Sequence, residues 1–314
     1  MSAAPLATRT LDRCLACGNR DLRPLAMRYE HRGTFPAVRC PRCDMRFLAV
    51  QPAPEALAEL YGSAYFERDF RCGRSADEYF REDAFRGENR DLLDQFARLH
   101  APPGDLLEVG CAGGWLLKHA AERGWRARGV ELSADAVRHA RGLGLEVFQG
   151  ELEEARLPGA AFDLAYMGDV LEHVPDCRAV MEEAARVLRP GGHLYLRGPI
   201  TTNSLARRVA LAAWGALGGA IVLREPPYHL WEFTPGSLTR LAAAAGFEVV
   251  ALRQSKIPPG RARGRKSGLQ RAAMFALDLV NTPLTCACNV LGDRVVLVAR
   301  RGPAGPGPAA GQPA

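Results

Sequence analysis

The chain has 314 residues, 47% of them hydrophobic, 24% charged and 7% aromatic, with a formal net charge of +6. That composition excludes collagen-like, mucin-like and wholly disordered chains, and the length allows two units, one of them with a sizeable core. Three of the 41 basic residues are lysines, and the arginines are interleaved with acids along the chain, a composition bias rather than a nucleic-acid footprint. The opening MSAAPLATRTLDRCLACG lacks the apolar core of a secretory signal. The longest apolar stretch, 209–223, has 15 residues, short of the ~20 that a membrane span needs. Four of the nine cysteines stand in CxxC pairs and the others are scattered, which suits a reducing cytoplasm better than a secreted disulfide scaffold.

Residues 1–50 differ from the rest. Cys14-Leu-Ala-Cys17 and Cys40-Pro-Arg-Cys43, separated by 22 residues, set two thiolate knuckles on two turns. Four thiolates in that spacing make a closed tetrahedral site suited to structural zinc, with no open position for catalysis. Each knuckle is followed by a candidate strand, the second at 45–50, as in a zinc ribbon. Cys72, Cys111, Cys177, Cys286 and Cys288 read as packing residues.

Residues 51–100 carry helical patterns and form a linker or cap. Ala101-Pro-Pro-Gly104 closes that segment, because two prolines and a glycine stop a helix. From 101 to 301 short apolar strands alternate with helical stretches. The expected strands are 105–110, 126–132, 145–150, 162–169 and 193–199, followed by FEVVALRQS and DRVVLVAR. Ser133 and Asp176 are placed as helix N-caps, and Pro190-Gly-Gly192 as the stop of the helix after Asp176. Such alternation implies an α/β fold with a parallel sheet. The rhythm breaks at 200–233, an insertion expected to act as a lid, and the Gly/Pro/Ala-rich tail at 302–314 is expected to be disordered.

The turn Glu108-Val-Gly110-Cys111-Ala112-Gly113-Gly114-Trp115 joins the first strand to its helix. Glycines there let the backbone approach a ligand, and Glu131, 21 residues after Gly110, can accept the two hydroxyls of a ribose. The dinucleotide fingerprint GxGxxG fails, with Ala112 and Trp115 at its second and third glycines. The segment is instead similar to motif I of the class I S-adenosylmethionine (SAM)-dependent methyltransferases. Gly150-Glu151-Leu152, the stretch from Phe162 to Asp176, Leu188-Arg-Pro-Gly-Gly-His193 and Pro227-Tyr-His-Leu-Trp-Glu-Phe-Thr-Pro235 resemble later segments of the family, in the right order, and the last resembles its small-molecule subgroup. The resemblance implies a Rossmann-like sheet of seven strands, the last two an antiparallel hairpin. It carries SAM contacts onto Glu108, Gly110, Cys111, Ala112, Gly113, Glu131, Leu132, Glu151, Leu152, Gly168 and Asp169. Glu151 stands where an aspartate is common, one methylene longer.

Methyl transfer from a sulfonium mainly needs alignment of donor and acceptor, and an oxygen acceptor also needs a base. Asp169, Glu172, His173 and His229 are the candidates. The string Asp169-Val-Leu-Glu172-His173 resembles a divalent-ion motif of ubiquinone-pathway O-methyltransferases; a His that caps or packs against the turn is the reading preferred here. The run behind Arg207-Arg208 reads first as a buried lid helix, with peripheral membrane contact through 207–223 as the alternative. The basic run Arg261-Ala-Arg-Gly-Arg-Lys266 reads as a solvated loop. The expected function is methylation of a small-molecule acceptor: a sugar, a natural product or a lipid-linked intermediate. An RNA methyltransferase gripping its substrate through the ribbon is the second reading, disfavoured by the lack of aromatic-basic interleaving. A non-catalytic SAM-binding scaffold is the third.

Overall fold

The computed structural model describes residues 4–61, 81–257 and 268–303. Among them the chain begins with β1 (Thr8–Thr10), β2 (Arg23–Glu30), β3 (Thr34–Arg39), β4 (Arg46–Leu48) and β5 (Val50–Pro52). Two helices follow, α1 (Pro54–Leu60) and α2 (Asp83–Leu99). Then come β6 (Asp105–Val109), α3 (Trp115–Glu122), β7 (Arg126–Glu131), α4 (Ala134–Gly142), β8 (Glu146–Gln149), β9 (Phe162–Gly168), α5 (Cys177–Val187) and β10 (Leu188–Pro199). The remainder is α6 (Leu205–Ala216), β11 (Ile221–Leu223), β12 (Trp231–Glu232), α7 (Pro235–Ala244), β13 (Phe247–Ser255), α8 (Gly268–Cys288) and β14 (Arg294–Arg301). Cys72, the basic run 261–266 and residues 304–314 of the tail lie outside the described residues.

Seven strands form the main sheet in the order β13-β14-β10-β9-β6-β7-β8. The five strands from β6 to β10 run parallel, and β14 is antiparallel to both β10 and β13, which is the expected closing hairpin. The chain winds outward from β6 through β7 to β8, then restarts at β9 in the other direction. The crevice between the carboxyl ends of β6 and β9 is therefore the switch point where open α/β sheets bind ligands.

Local chemistry sets the helix starts. Asp176 accepts hydrogen bonds from the amides of Arg178 and Ala179 at 3.0 Å each, and Ser133 from that of Ala136 at 3.4 Å. Thr234 and Ser237 form a reciprocal capping box on α7. One expected stop is corrected. Pro190-Gly-Gly192 does not end a helix: α5 has already ended at Val187, and Leu188, fully buried, pairs with Phe162 in the sheet. The three residues sit in a bulge of β10, where the register with β9 jumps between Leu188 and His193. A Cβ on Gly192 would meet the backbone oxygen of Arg189 at 2.9 Å, so the bulge needs glycine there.

The ribbon is continuous with the rest of the molecule. Its strands β2, β3 and β4 are flanked by β11 and β12, contributed by the insertion, in a five-stranded sheet ordered β11-β2-β3-β4-β12. Phe47 opposes Trp231 in the β4–β12 register, with ring centroids 5.5 Å apart. Phe35, Phe47, Met45, Trp231 and Ile200 belong to the same buried cluster as Leu107 and Phe162 of the main sheet. Each such aromatic contributes about 1.5–3 kcal/mol on burial, so ribbon and main sheet share one core.

The buried lid helix expected behind Arg207 is also corrected. In α6 only Leu211 is buried, and Val209 and Trp214 are about half exposed. The helix packs on β2 and α8, because β11 draws the insertion onto the ribbon's edge. Of the remaining cysteines, Cys111 and Cys177 are buried packing residues as expected, whereas Cys286 and Cys288 are exposed at the end of α8.

Candidate active site

The four ribbon cysteines converge. Cys14 Sγ lies 3.4 Å from Cys43 Sγ and Cys17 Sγ lies 3.5 Å from Cys40 Sγ, and all four sulfurs fall within 4.8 Å of one another. Sulfurs around a tetrahedral zinc at 2.3 Å would stand about 3.8 Å apart. The cluster is thus consistent with a structural zinc that would tie the start of β4 to the N-terminal knuckle.

At the switch point, the turn after β6 is wound tightly. Gly110 has φ +72° and a Cβ there would meet Val170 Cγ2 at 2.4 Å; Ala112 also lies in the left-handed region at φ +50°. Glu131 at the end of β7 braces this turn, accepting from the Ala112 amide and from the Ser133 amide at 2.8 Å each. Burial raises its carboxyl pKa, and those amides oppose the rise. Glu108 is buried with its Oε2 lacking a hydrogen-bond partner among the described residues. Burial, then repulsion from Glu131, raises its pKa well above the usual range. A buried acid oxygen left without a partner beside this turn fits a ligand that brings its own hydrogen-bond donors or positive charge. That is the chemistry of SAM, with its ammonium and sulfonium groups and ribose hydroxyls.

One cavity of about 1,730 Å³ is lined by every residue to which the resemblance assigned the cofactor, and by Asp169, Glu172, His173 and His229 as well. Within it the residues have distinct settings. Leu132 is 46% exposed at the rim, and Leu152 is buried. Glu151 is held by its backbone, its amide donating to Glu154 at 2.9 Å, and burial raises its carboxyl pKa. A Cβ on Gly168 would meet the Tyr166 hydroxyl at 2.2 Å, which keeps that position to glycine. Asp169, at φ +57°, points to Arg294 with an ion pair of 2.7 Å. Burial works against its charged form, yet Arg294 holds its pKa below the ordinary value.

Glu172, His173 and His229 form a separate cluster, each offering an atom within 4.8 Å of the others, a set that a divalent cation fits. The two imidazoles stack edge-on with centroids 4.9 Å apart, and His173 Nε2 lies 3.7 Å from Glu172 Oε1. His173 Nδ1 is 3.0 Å from the Tyr228 carbonyl oxygen, which can only accept, and 2.8 Å from the Tyr61 hydroxyl, which can donate or accept. Burial lowers the pKa of both histidines, for His229 with further help from His173, so both are neutral near pH 7. Burial, then repulsion from Asp169, lifts the Glu172 carboxyl to about 8, with His229 opposing.

Several lining residues carry no sequence motif. Tyr61, just after α1, sets its hydroxyl 2.8 Å from His173 Nδ1 and its ring against Tyr228. Arg197 pairs with Glu88 at 2.8 Å, and Lys256 with Asp293 at 2.7 Å. The charged start of β14 was the only local hint of Arg294, and Tyr61 had none.

A family model described as a methyltransferase domain matches residues 80–252. The chain belongs to the SAM-dependent methyltransferases. It is 32% identical over 179 residues to a ubiquinone biosynthesis O-methyltransferase of Xanthomonas oryzae pv. oryzae (strain PXO99A), covering 54% of this chain and 74% of the relative. To the enzyme of the same name from Cupriavidus pinatubonensis it is 29% identical over 160 residues, spanning 47% of this chain and 61% of that relative's length. Among solved structures, a SAM-dependent methyltransferase from Mesorhizobium loti aligns at 19% identity with a TM-score of 0.43, covering 63% of this chain and 91% of that one. In this methyltransferase, the ribbon lies outside the matched segment and the insertion at 200–233 lies within it.

Proposed function

We propose that this methyltransferase transfers a methyl group from SAM to a hydroxyl oxygen of a small-molecule acceptor: a sugar, a natural product or a lipid-linked intermediate. The observation that carries the reading is the single cavity that joins the 110–113 turn to Glu172, His173 and His229. The relatives' names, which specify O-methylation in ubiquinone biosynthesis, support oxygen as the acceptor atom. When bound, SAM supplies a methyl group on positively charged sulfur, open to in-line displacement.

The turn residues Gly110, Cys111, Ala112 and Gly113, with Glu108, would hold the amino-acid end of SAM. Glu131 and Leu132 would hold the ribose, Glu151 and Leu152 the adenine, and Gly168 and Asp169 the floor beneath. His229, neutral in its buried setting, takes the acceptor's proton as its oxygen reacts. His173 is a positioning residue, locked by the Tyr228 carbonyl and Tyr61. The same three residues would suit a divalent cation, whose charge would displace the proton from Glu172. Within the chain, 1–50 acts as the ribbon, 51–100 as the cap over the cavity and 101–301 as the transfer domain.

Calorimetric titration with SAM and with its demethylated product, on protein of measured zinc content, tests the cofactor assignment; a folded, zinc-loaded sample that binds neither overturns it. With an acceptor found by screening, His229→Ala is expected to lower turnover by about 10²–10⁴-fold while SAM affinity holds. Near-normal turnover in that variant would remove the base role.

A further inference from the structure

The turn after β8 carries three glutamates within four residues, Glu151, Glu153 and Glu154, and the fold gives each a different setting. Gly150 opens the turn, its amide donating to the Glu131 carbonyl at 3.0 Å, which ties the turn to the end of β7. The chain then coils back, the Glu154 amide donating to the Glu151 carbonyl at 3.2 Å and the Ala155 amide to that of Leu152 at 3.3 Å. Glu154 is exposed, and its Oε2 accepts the Glu151 amide at 2.9 Å. Glu151 is exposed as well, and Arg9 offsets its charge. Glu153 is partly buried and lines the cavity, with its Oε2 buried and without a hydrogen-bond partner. The charged side chains that act on it, Glu151, Glu183 and Asp176, are all acids.

Buried polar atoms left unpaired in a cavity mark where a ligand's own polar groups belong. Among the described residues, the lining of this cavity holds four: Glu108 Oε2, Trp115 Nε1, Glu153 Oε2 and Arg197 Nε. Indole and guanidinium nitrogens only donate, so the two carboxyl oxygens are the ones left to accept. They stand on opposite sides of β7: Glu108 in β6 before the 110–113 turn, and Glu153 beyond β8. A ligand with its amino-acid end on the first turn and its ribose on Glu131 therefore brings its base to Glu153. Adenine offers there an amine that donates at N6 and a ring nitrogen that accepts at N1. Burial, then the neighbouring acids, raises the Glu153 carboxyl pKa against the pull of its own backbone amide, which favours the neutral form. A neutral carboxyl matches both groups, accepting from N6–H through one oxygen and donating its own proton to N1.

We infer that Glu153 is the side chain that reads the 6-amino group of the adenine, with Glu151 and Leu152 bordering the base. The inference rests on the placing of the adenine at the turn after β8.

The test is calorimetric titration of the full-length, zinc-loaded protein with S-adenosylhomocysteine, the demethylated product of SAM, and with its 6-deamino analogue, in which hydrogen replaces the amine. Wild type is expected to prefer the amine-bearing ligand by about tenfold or more, the worth of one buried polar pairing. Glu153→Ala and Glu153→Leu are each expected to bind the two ligands alike. Glu153→Gln, whose amide can accept from N6–H and donate to N1, is expected to restore the preference. A merely structural role for Glu153 would weaken both ligands together and leave their ratio unchanged, and that outcome overturns the inference. So does equal binding of the two ligands by wild type. A preference that survives in Glu153→Leu and disappears in Glu151→Ala gives the amine to Glu151 and overturns it too. A folded wild type that binds neither ligand removes the cofactor site itself, which separates that failure from the loss of the amine contact alone.

Discussion

The two halves of the cavity are built in opposite ways. The cofactor half comes from consecutive chain: β6, its turn, the end of β7, the turn after β8 and the end of β9, all within residues 105–169. The acceptor half is gathered from remote pieces. Tyr61 follows the ribbon, His173 follows β9, His229 precedes β12 and Arg294 begins β14. The ribbon holds several of them in place. Strand β4 pairs with β12 immediately after His229, and the Leu48 amide donates to the Leu230 carbonyl at 3.0 Å. The Leu230 amide in turn donates to the Glu172 carbonyl at 2.8 Å, and the Trp231 indole to the Val174 carbonyl at 2.7 Å. Arg46 reaches the Thr202 carbonyl at 2.6 Å, and Arg9 reaches that of Pro175. A zinc ribbon that looks like an appendage in sequence is thus the buttress of the acceptor half.

The sharpest way to break this comparison is to unload the ribbon. Structural zinc contributes about 10–16 kcal/mol in small zinc-binding peptides, so removing a ligand should unfold the ribbon. Cys14→Ser or Cys43→Ser is expected to abolish acceptor turnover and perturb the emission of Trp231. SAM affinity should fall less than turnover does, since the 110–112 turn is braced by Val130 and Glu131 rather than by the ribbon. Metal analysis, fluorescence and SAM calorimetry on one sample read all three. Parallel loss of SAM binding would show that the two halves fold as one unit and end the distinction.

Gly110→Ala probes the other half, and a smaller effect is expected. The added Cβ would stand 2.4 Å from Val170 Cγ2 in a left-handed backbone, a strain on the order of 1–3 kcal/mol. SAM affinity should fall by roughly ten- to a hundredfold, with zinc content unchanged. Unaltered SAM affinity would remove the 110–113 turn from the cofactor site.

The same contrast explains what could be read from the chain. The cofactor half was legible because βα turns are local: Gly110, Glu131 and the Asp176 cap each act within about 20 residues. The order of the sheet followed from the alternation. The acceptor half was legible only in part. His173 and His229 stood out as residue types, but their meeting depends on a pairing between residues near 47 and 231 that no local pattern encodes. The 209–223 run looked like a buried lid because its apolar content is high. Composition alone does not distinguish a helix covered by the fold from one that leaves its apolar face in water. The Pro190-Gly-Gly192 error has a similar origin, since the punctuation that ends helices also makes bulges.

A further contrast is a pH dependence inside the acceptor half. Glu172 has a folded pKa of about 8, against 4.5 for an ordinary glutamate. The folded protein therefore keeps a proton that the unfolded chain releases above about pH 4.5. The cost is absent below that point and grows as pH rises toward 8, by up to about 1.4 kcal/mol per pH unit. His173 and His229, with pKa values lowered by burial, act the other way as pH falls below 6.5. Comparing wild type with Glu172→Gln in thermal melts isolates the carboxyl, because both proteins retain the histidines. The variant should gain stability relative to wild type between about pH 6 and pH 8. A constant difference across that range would leave Glu172 ionised beside two neutral imidazoles, an arrangement that fits a cation better than a proton, and chelation would then become the decisive experiment on turnover.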